Sequence, residues 1–369
     1  MPHELRIVYL AHSLRSDWNN GNAHFLRGLM RELVKLNHHV TILEPETSWS
    51  IENLRTEPEG ERSLAQFARV YSDLAIQLYS HLDDEEVWVK RLSGAQIVIL
   101  HEWNPPALAQ QILSLRDQLH FRLLFHDTHH RASSSPQQIK LLGLERFDGA
   151  LVFGESLARI YRDRLHIENV HTLHEAADTS VFCPQPGSDK ELDAVWIGNW
   201  GDGERSDEIR SFLLKPAAQL PDRRITVYGV RYPQDGLEAL HQAGVSYGGY
   251  LPNLDAPGVY ATAHLTVHIP RQQYSLQMSG IPTIRVFEAL ACGIPLLSAP
   301  WQDTEGLFRT HDFCFVSSPT EMLASMQYLL RNRAAAADQA ARGLETLLAR
   351  HTCAHRAQQL IAICQELLA

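Results

Sequence analysis

The chain has no basic excess. Its 33 lysines and arginines stand against 43 aspartates and glutamates, a net charge of −10. A general nucleic-acid binder shows the opposite balance, so no nucleic-acid partner is expected, although a local basic cleft for a diphosphate stays open. Cysteine is scarce: five, at 183, 292, 314, 353 and 364, an odd number without a CxxC pair. A disulfide framework is therefore not expected, and a reducing, cytoplasmic setting is. No apolar run approaches the roughly 18 residues of a membrane-spanning helix. Near the N-terminus Ile7-Val8-Tyr9-Leu10-Ala11 runs straight into His12 and Ser13, so no signal-peptide core is read there. What remains, 44% hydrophobic and 21% charged, is the composition of an ordinary soluble enzyme. At 369 residues two domains are the natural expectation.

Short apolar runs alternate with longer amphipathic stretches. Strands are predicted at 6–10, 40–43, 96–100, 122–125, 150–153 and 170–173, with helices between them, among them 23–36 and 63–79. A second series follows at 194–198, 225–228, 265–269, 295–298 and 314–316. Buried strands alternating with helices imply parallel sheets covered on both faces. The coarse doubling implies two such sheets.

The most informative stretch runs from Gly280 to Leu297. It reads as a short helix followed directly by a buried strand. Pro282 suits the first helical position, where a missing N–H costs nothing. Gly293 closes the helix and Pro295 forbids its continuation. The N–H groups of Thr283, Ile284 and Arg285 then point out of a helix start, which attracts phosphate. Arg285 adds a fork of donors matched to phosphate oxygens. Three residues on, Glu288 lies on the same face, where its carboxylate can accept both hydroxyls of a ribose. The alternative for Arg285 and Glu288 is a plain ion pair along the helix.

This stretch resembles the signature of group-1 glycosyltransferases, whose Glu-x7-Glu element precedes an Ala-Cys-Gly-x-Pro strand entry. Glu288 matches the second acid of that element, the one that holds the ribose. The first acid, which touches the donor sugar, is absent, because Gly280 stands there. The Arg-x-Phe-Glu core and the missing acid are similar to the spore-maturation-protein-like branch. The resemblance implies an α/β protein of two Rossmann-like domains facing across a cleft (GT-B). It places an N-terminal acceptor domain at 1–177, a nucleotide-sugar domain at 178–345, and a C-terminal helix at 346–369 that returns to the first domain. The segment Ala177-Asp178-Thr179-Ser180-Val181-Phe182-Cys183-Pro184 looks like the family's domain junction, and Pro184, Pro186 and Gly187 supply linker chemistry.

Five further loops are candidates. The loop from His12 to Ala23 follows the first strand, at the sheet edge where ligands bind. There Gly21 permits close approach, Asn20 or Asn22 suits a helix cap, and the Trp-x-Asn-Gly spacing is similar to that of the spore-maturation branch. His126-Asp127-Thr128-His129-His130-Arg131 holds the densest part of a 20-histidine complement. No outlying Cys/His pair completes a metal set, so a hydroxyl-binding cluster is preferred, with Asp127 or His129 as general base if the reaction inverts. Glu175, in His174-Glu175-Ala176-Ala177-Asp178, is a candidate to contact the sugar and cover for the acid missing at 280; a hinge salt bridge is the alternative. In the Gly-rich run Ile197-Gly198-Asn199-Trp200-Gly201-Asp202-Gly203-Glu204-Arg205, the family's diphosphate-gripping basic residue matches Arg205, with Asn199 beside it. The loop around Tyr250 would face the nucleobase, and Arg271 would reach the phosphates or the sugar.

Together these features lead to the expectation of a glycosyltransferase that moves a sugar from a nucleoside diphosphate sugar to a sugar, lipid-linked or protein acceptor. The resemblance implies retention of anomeric configuration. Arginines replace a divalent cation, no cofactor is needed, and the protein is a monomer or homodimer. A nucleotide-sugar epimerase of the same fold, or a non-catalytic nucleotide-sugar binder, are the alternatives. Free nucleotide or epimer formed from a sugar nucleotide alone separates the first, and binding without turnover separates the second.

Overall fold

A computed structural model describes residues 4–80, 83–201 and 203–369; Asp202 of the Gly-rich loop lies outside them. The chain divides into two compact units, one formed by Met1–Glu175 with Cys353–Ala369 and the other by Ala176–Thr352. The sequence reading put these junctions at 177/178 and 345/346.

The first unit is a seven-stranded parallel sheet. Its strands are β1 (Arg6–Leu10), β2 (His39–Pro45), β3 (Ala75–Tyr79), β4 (Ile97–His101), β5 (Arg122–Asp127), β6 (Gly149–Val152) and β7 (Val170–Thr172), in the spatial order β3-β2-β1-β4-β5-β6-β7. The central strands β4 and β6 are buried along their whole length, and β5 is buried beyond Arg122. Helices cover both faces of such a sheet, which is why these strands read as continuous apolar runs. The helix Cys353–Leu368 belongs to this unit and packs on the helix Ala23–Lys35. Arg356 Nε donates to His174 O (2.9 Å) and Gln359 Nε2 to Thr172 O (2.7 Å), which ties that terminal helix to the end of β7.

One prediction is corrected here. The stretch 63–79 is a helix only over Gly60–Val70, and its remainder turns back as strand β3. β3 is an edge strand, and only Tyr79 of its five residues is buried. It therefore lacks the apolar run that marks the inner strands.

The second unit is a six-stranded parallel sheet of β8 (Leu192–Ile197), β9 (Ile225–Tyr228), β10 (Ser246–Tyr247), β11 (Ala263–His268), β12 (Leu296–Ser298) and β13 (Cys314–Phe315). Its order is β10-β9-β8-β11-β12-β13. The two-residue β10, missed in the sequence for the same reason, is exposed at the edge. In both sheets the strand order reverses once, between β1 and β4 and between β8 and β11. The crevice at the carboxyl ends of such a strand pair is where open α/β sheets bind ligands. Among the described residues no helix is long and apolar enough to cross a membrane.

Candidate functional site

In the second unit the signature helix spans Ile284–Ala291, with Thr283 as its N-cap in extended conformation. Pro282 thus precedes the cap rather than opening the helix, which starts two residues later than predicted, at Ile284. The C-terminus is closed as expected. Gly293 takes φ +64°, its N–H bonds Leu290 O, and Ile294 N–H bonds Ala289 O. This doubly bonded arrangement is the Schellman motif, which glycine's freedom at positive φ favours.

Thr283 does not use its hydroxyl to cap its own helix. The hydroxyl pairs with His268 Nε2 at 3.0 Å, at the end of β11. His268 Nδ1 pairs with Ser298 Oγ at 2.8 Å, and that hydroxyl is directed to Ala299 O at 2.9 Å. With the serine proton so placed, His268 Nδ1–H donates to Ser298, and the bare Nε2 accepts from Thr283. Burial, helped by the Arg205 charge, lowers the His268 pKa to about 3, so the ring is neutral and this tautomer is fixed. As a result the side chain that ordinarily satisfies a first-turn N–H is turned away. Backbone donors at a helix start have no intrahelical acceptor of the usual kind, and here the Thr283 side chain does not serve them.

Arg285 and Glu288 form the ion pair that the sequence offered as the alternative. Glu288 is fully buried, and its other oxygen accepts from Asn253 Nδ2 at 3.1 Å. The loop carrying Tyr250, which is half-buried, thereby reaches the signature acid through Asn253. Arg205 does not stand in solvent. Its guanidinium donates to Asn199 O (2.9 Å) and Ile269 O (3.3 Å) and lies over the Trp196 ring, stitching the Gly-rich loop to the end of β11. Arg271 is paired with Glu204 and donates to Asn199 Oδ1 at 3.4 Å. Asn199, Arg205, Arg271 and Thr283, with Ile284 beside it, therefore sit on loops and a helix start joined at the end of β11, while Arg285 and Glu288 pair with each other and with Asn253.

The first unit buries a denser polar cluster at its own reversal point. Glu102 and His101, at the end of β4, lie 2.9 Å apart, and Thr128 donates to Glu102 at 3.2 Å. Burial raises the Glu102 pKa to about 8 despite the Arg131 guanidinium nearby. Asp127 accepts from Tyr161 OH (2.6 Å) and His129 N (2.9 Å), and burial together with the Glu102 charge lifts its pKa to about 7. Burial lowers His101 and His126 to about 3 and His12 to about 4. Asn22 donates from Nδ2 to Thr128 O and Oγ1, both at 2.9 Å. Asn22 holds the N-cap position without a side-chain cap bond, and Asn20 donates to Ser13 O, so neither amide caps the helix as predicted.

Asn22, Asp127 and His129 are thus brought together, with Gly21 half-buried one residue before Asn22. Asp127 is completely buried, while His129 is half-buried with its ring 5.0 Å from that of Trp103. Glu175 is buried in the same unit. Sequence reasoning missed His101, Glu102 and Trp103. The signal was present, since a His-Glu-Trp-Asn run directly follows the apolar run of β4, the same pattern that singled out Glu175. Among the described residues no three His, Cys, Asp or Glu are arranged to hold a metal ion.

Residues 205–362 match a family model described as glycosyl transferase-like, and no curated protein matches the chain. Among solved structures, Anabaena HepE in complex with UDP and glucose is 11% identical, with a TM-score of 0.71 over 98% of this chain and 100% of that one. Sucrose-phosphate synthase from Thermosynechococcus elongatus is 15% identical, with a TM-score of 0.68 over 99% of each. An α-glucosyltransferase in complex with UDP and a 13-mer DNA is 12% identical, with a TM-score of 0.68 over 98% and 100%. At such identities the likeness is one of fold: two Rossmann-like lobes of the GT-B type.

Proposed function

We propose that this protein is a glycosyltransferase whose second unit binds a nucleoside diphosphate sugar, the pyrophosphate docking at the start of the helix Ile284–Ala291. The observation that carries this reading is the diversion of the Thr283 hydroxyl to His268. It leaves a helix start without its side-chain cap at a sheet reversal point, where anions are favoured. Arg285 lies in the first turn of that helix and is paired with Glu288 one turn on. On binding, its guanidinium turns to the phosphates and releases the carboxylate to the ribose hydroxyls. Arg205 and Arg271 add positive potential while holding the loops in place. Together they stabilise the departing diphosphate as the anomeric carbon becomes oxocarbenium-like, an electrostatic contribution that needs no divalent cation. The three solved relatives named above, two of them crystallised with UDP, support the donor class by analogy of fold.

The first unit receives the acceptor at its polar cluster. Its buried acids hold protons near neutral pH, and His129 is the half-buried member able to meet an acceptor hydroxyl. Retention is the expected stereochemistry, and the cytoplasm the expected setting. The acceptor is drawn from sugars, lipid-linked glycans and proteins.

The test is a thermal-shift screen of UDP, GDP and dTDP and their sugar conjugates, since a ligand that binds only the folded state raises its melting temperature. One diphosphate is expected to stabilise the protein by several degrees. In a parallel assay of nucleotide release from the donor, Arg285→Ala should lower turnover at least tenfold, a larger effect than its loss of folding stability, which includes the cost of leaving the buried Glu288 without its arginine. Absence of any shift across the panel ends the donor reading, and unchanged turnover removes Arg285 from it.

A further inference from the structure

Gly280 is three residues before the cap Thr283, so it lies within about 11 Å of the helix start even along a fully extended chain. Its backbone takes φ +94°, and its N–H donates to Gln302 O at 2.8 Å. A side chain at this position has no room. A Cβ would stand 2.6 Å from Thr304 Oγ1 and 3.0 Å from Glu305 Oε1. The space beside the Gly280 backbone is therefore filled by the Thr304 hydroxyl and the Glu305 side chain, which arrive from a different loop.

That loop is held at both ends. At its root, Trp301 Nε1 donates to Ser298 Oγ at 3.1 Å, the hydroxyl that also receives His268. One network thus sets both the Thr283 hydroxyl and the root of the Glu305 loop. At the far end, the Asp303 carboxylate accepts from the N–H groups of Leu307 (3.0 Å) and Phe308 (2.9 Å). Glu305 stands between these anchors, half-buried against Gly280.

We propose that Glu305 receives hydroxyls of the transferred sugar, at a position where Gly280 offers no side chain. The proposal rests on the donor reading above. If the distal phosphate sits at the helix start, the sugar attached to it lies against the loop that leads into that helix. A carboxylate has two acceptor oxygens and suits a pair of neighbouring hydroxyls. Glu175, the other acid considered for this role, belongs to the first unit, whereas Glu305 touches the Gly280 position itself. The donor class this selects is a sugar with adjacent free hydroxyls, because a site built to bind a hydroxyl strongly rejects an analogue that lacks it.

The experiment measures binding of UDP, GDP and dTDP, each free and as its glucose or mannose conjugate, to the parent, Glu305→Gln and Glu305→Ala, with melting temperatures recorded in parallel. For whichever nucleotide the parent binds, Glu305→Ala is expected to keep the affinity for the free diphosphate within about twofold and to lose at least tenfold for the conjugate. Glu305→Gln, which retains shape and one acceptor, should fall between. Unchanged conjugate affinity in both variants overturns the role of Glu305 and leaves the donor reading standing. Parallel loss of free and conjugated nucleotide in Glu305→Gln, with melting intact, also overturns it, since the residue then serves the phosphate site. Failure of the parent to bind any of the diphosphates overturns both.

Discussion

The two sheets have the same reversal in strand order and treat buried acids differently. In the second unit the buried Glu288 is matched with Arg285 one turn away, and the one buried histidine of the site, His268, orients a hydroxyl. In the first unit Glu102 and Asp127 are buried within reach of each other, and burial drives their pKa values up to about 8 and 7. Histidines packed around them are driven down to about 3 or 4. One site thus presents charge matched along a helix, suited to a ligand that carries fixed charge. The other holds acids that exchange protons near pH 7 among histidines kept neutral by burial.

The largest effect is expected at the matched pair. Glu288→Gln keeps an acceptor for Asn253 but loses the charge, and should weaken nucleotide binding by roughly ten- to a hundredfold, in line with about 1.5–3 kcal/mol for a charge-assisted hydrogen bond. Equal melting shifts with nucleotide for mutant and parent would erase the proposed contrast.

Next comes pH. Between pH 6.5 and 8 the folded first unit gives up the protons of Asp127 and then Glu102, which unfolded carboxyls have already lost near pH 4. Their contribution is fully present below about pH 4 and disappears as pH rises through 7 and 8. The histidines run the other way. The unfolded state takes up protons near pH 6.5 that His101, His126 and His268 refuse until about 3, so their contribution is full above 6.5 and lost on acidification. Stability should therefore decline by about 1–2 kcal/mol from pH 6.5 to 8 by linkage, and Glu102→Gln with Asp127→Asn should flatten that limb in urea titrations. A parent already flat over this range would show that the acids are not held protonated.

His268→Phe sharpens the account of the helix start. Without its partner the Thr283 hydroxyl is free to cap its own helix, competing with the anion at a strength of about 1 kcal/mol. Nucleotide affinity should drop three- to tenfold by calorimetry. A threonine that caps nothing even then would leave affinity unchanged and refute the account.

The smallest effects lie at helix ends. Gly293 closes its helix at φ +64°, whereas in the first unit His120 and His166 close theirs at +59° and +57°. Gly293→Ala should cost about 1 kcal/mol, and His166→Gly should gain a few tenths to 1 kcal/mol in melting experiments, since only glycine adopts αL without a Cβ penalty. Two of the surplus histidines thus sit at helix ends, away from the site.

Inner strands, the signature helix, its glycine stop and the general doubling were legible in the sequence, because buried parallel strands are continuous apolar runs and helix ends carry local signals. Edge strands β3 and β10 were not, because half-exposed strands have no such run. Arg285 and Glu288 could be picked out from spacing along one helix. Whether Thr283 caps or turns away depended on His268 of β11 and Ser298 of β12, which lie before and beyond the helix. The buried acid Glu102 was named by nothing in its local pattern except the apolar run before it. Its raised pKa follows from burial, against the pull of the Arg131 charge and the Thr128 hydrogen bond, and burial depends on every neighbour at once.

The amino-acid order alone thus settled the inner strands and the glycine stop of the signature helix, since those features are set by residues within a few positions of one another. Only the folded chain decided that Glu305 stands at the Gly280 position, 25 residues away. Contact across that separation follows from the packing of β11, β12 and the loops they carry, and no local rule encodes it.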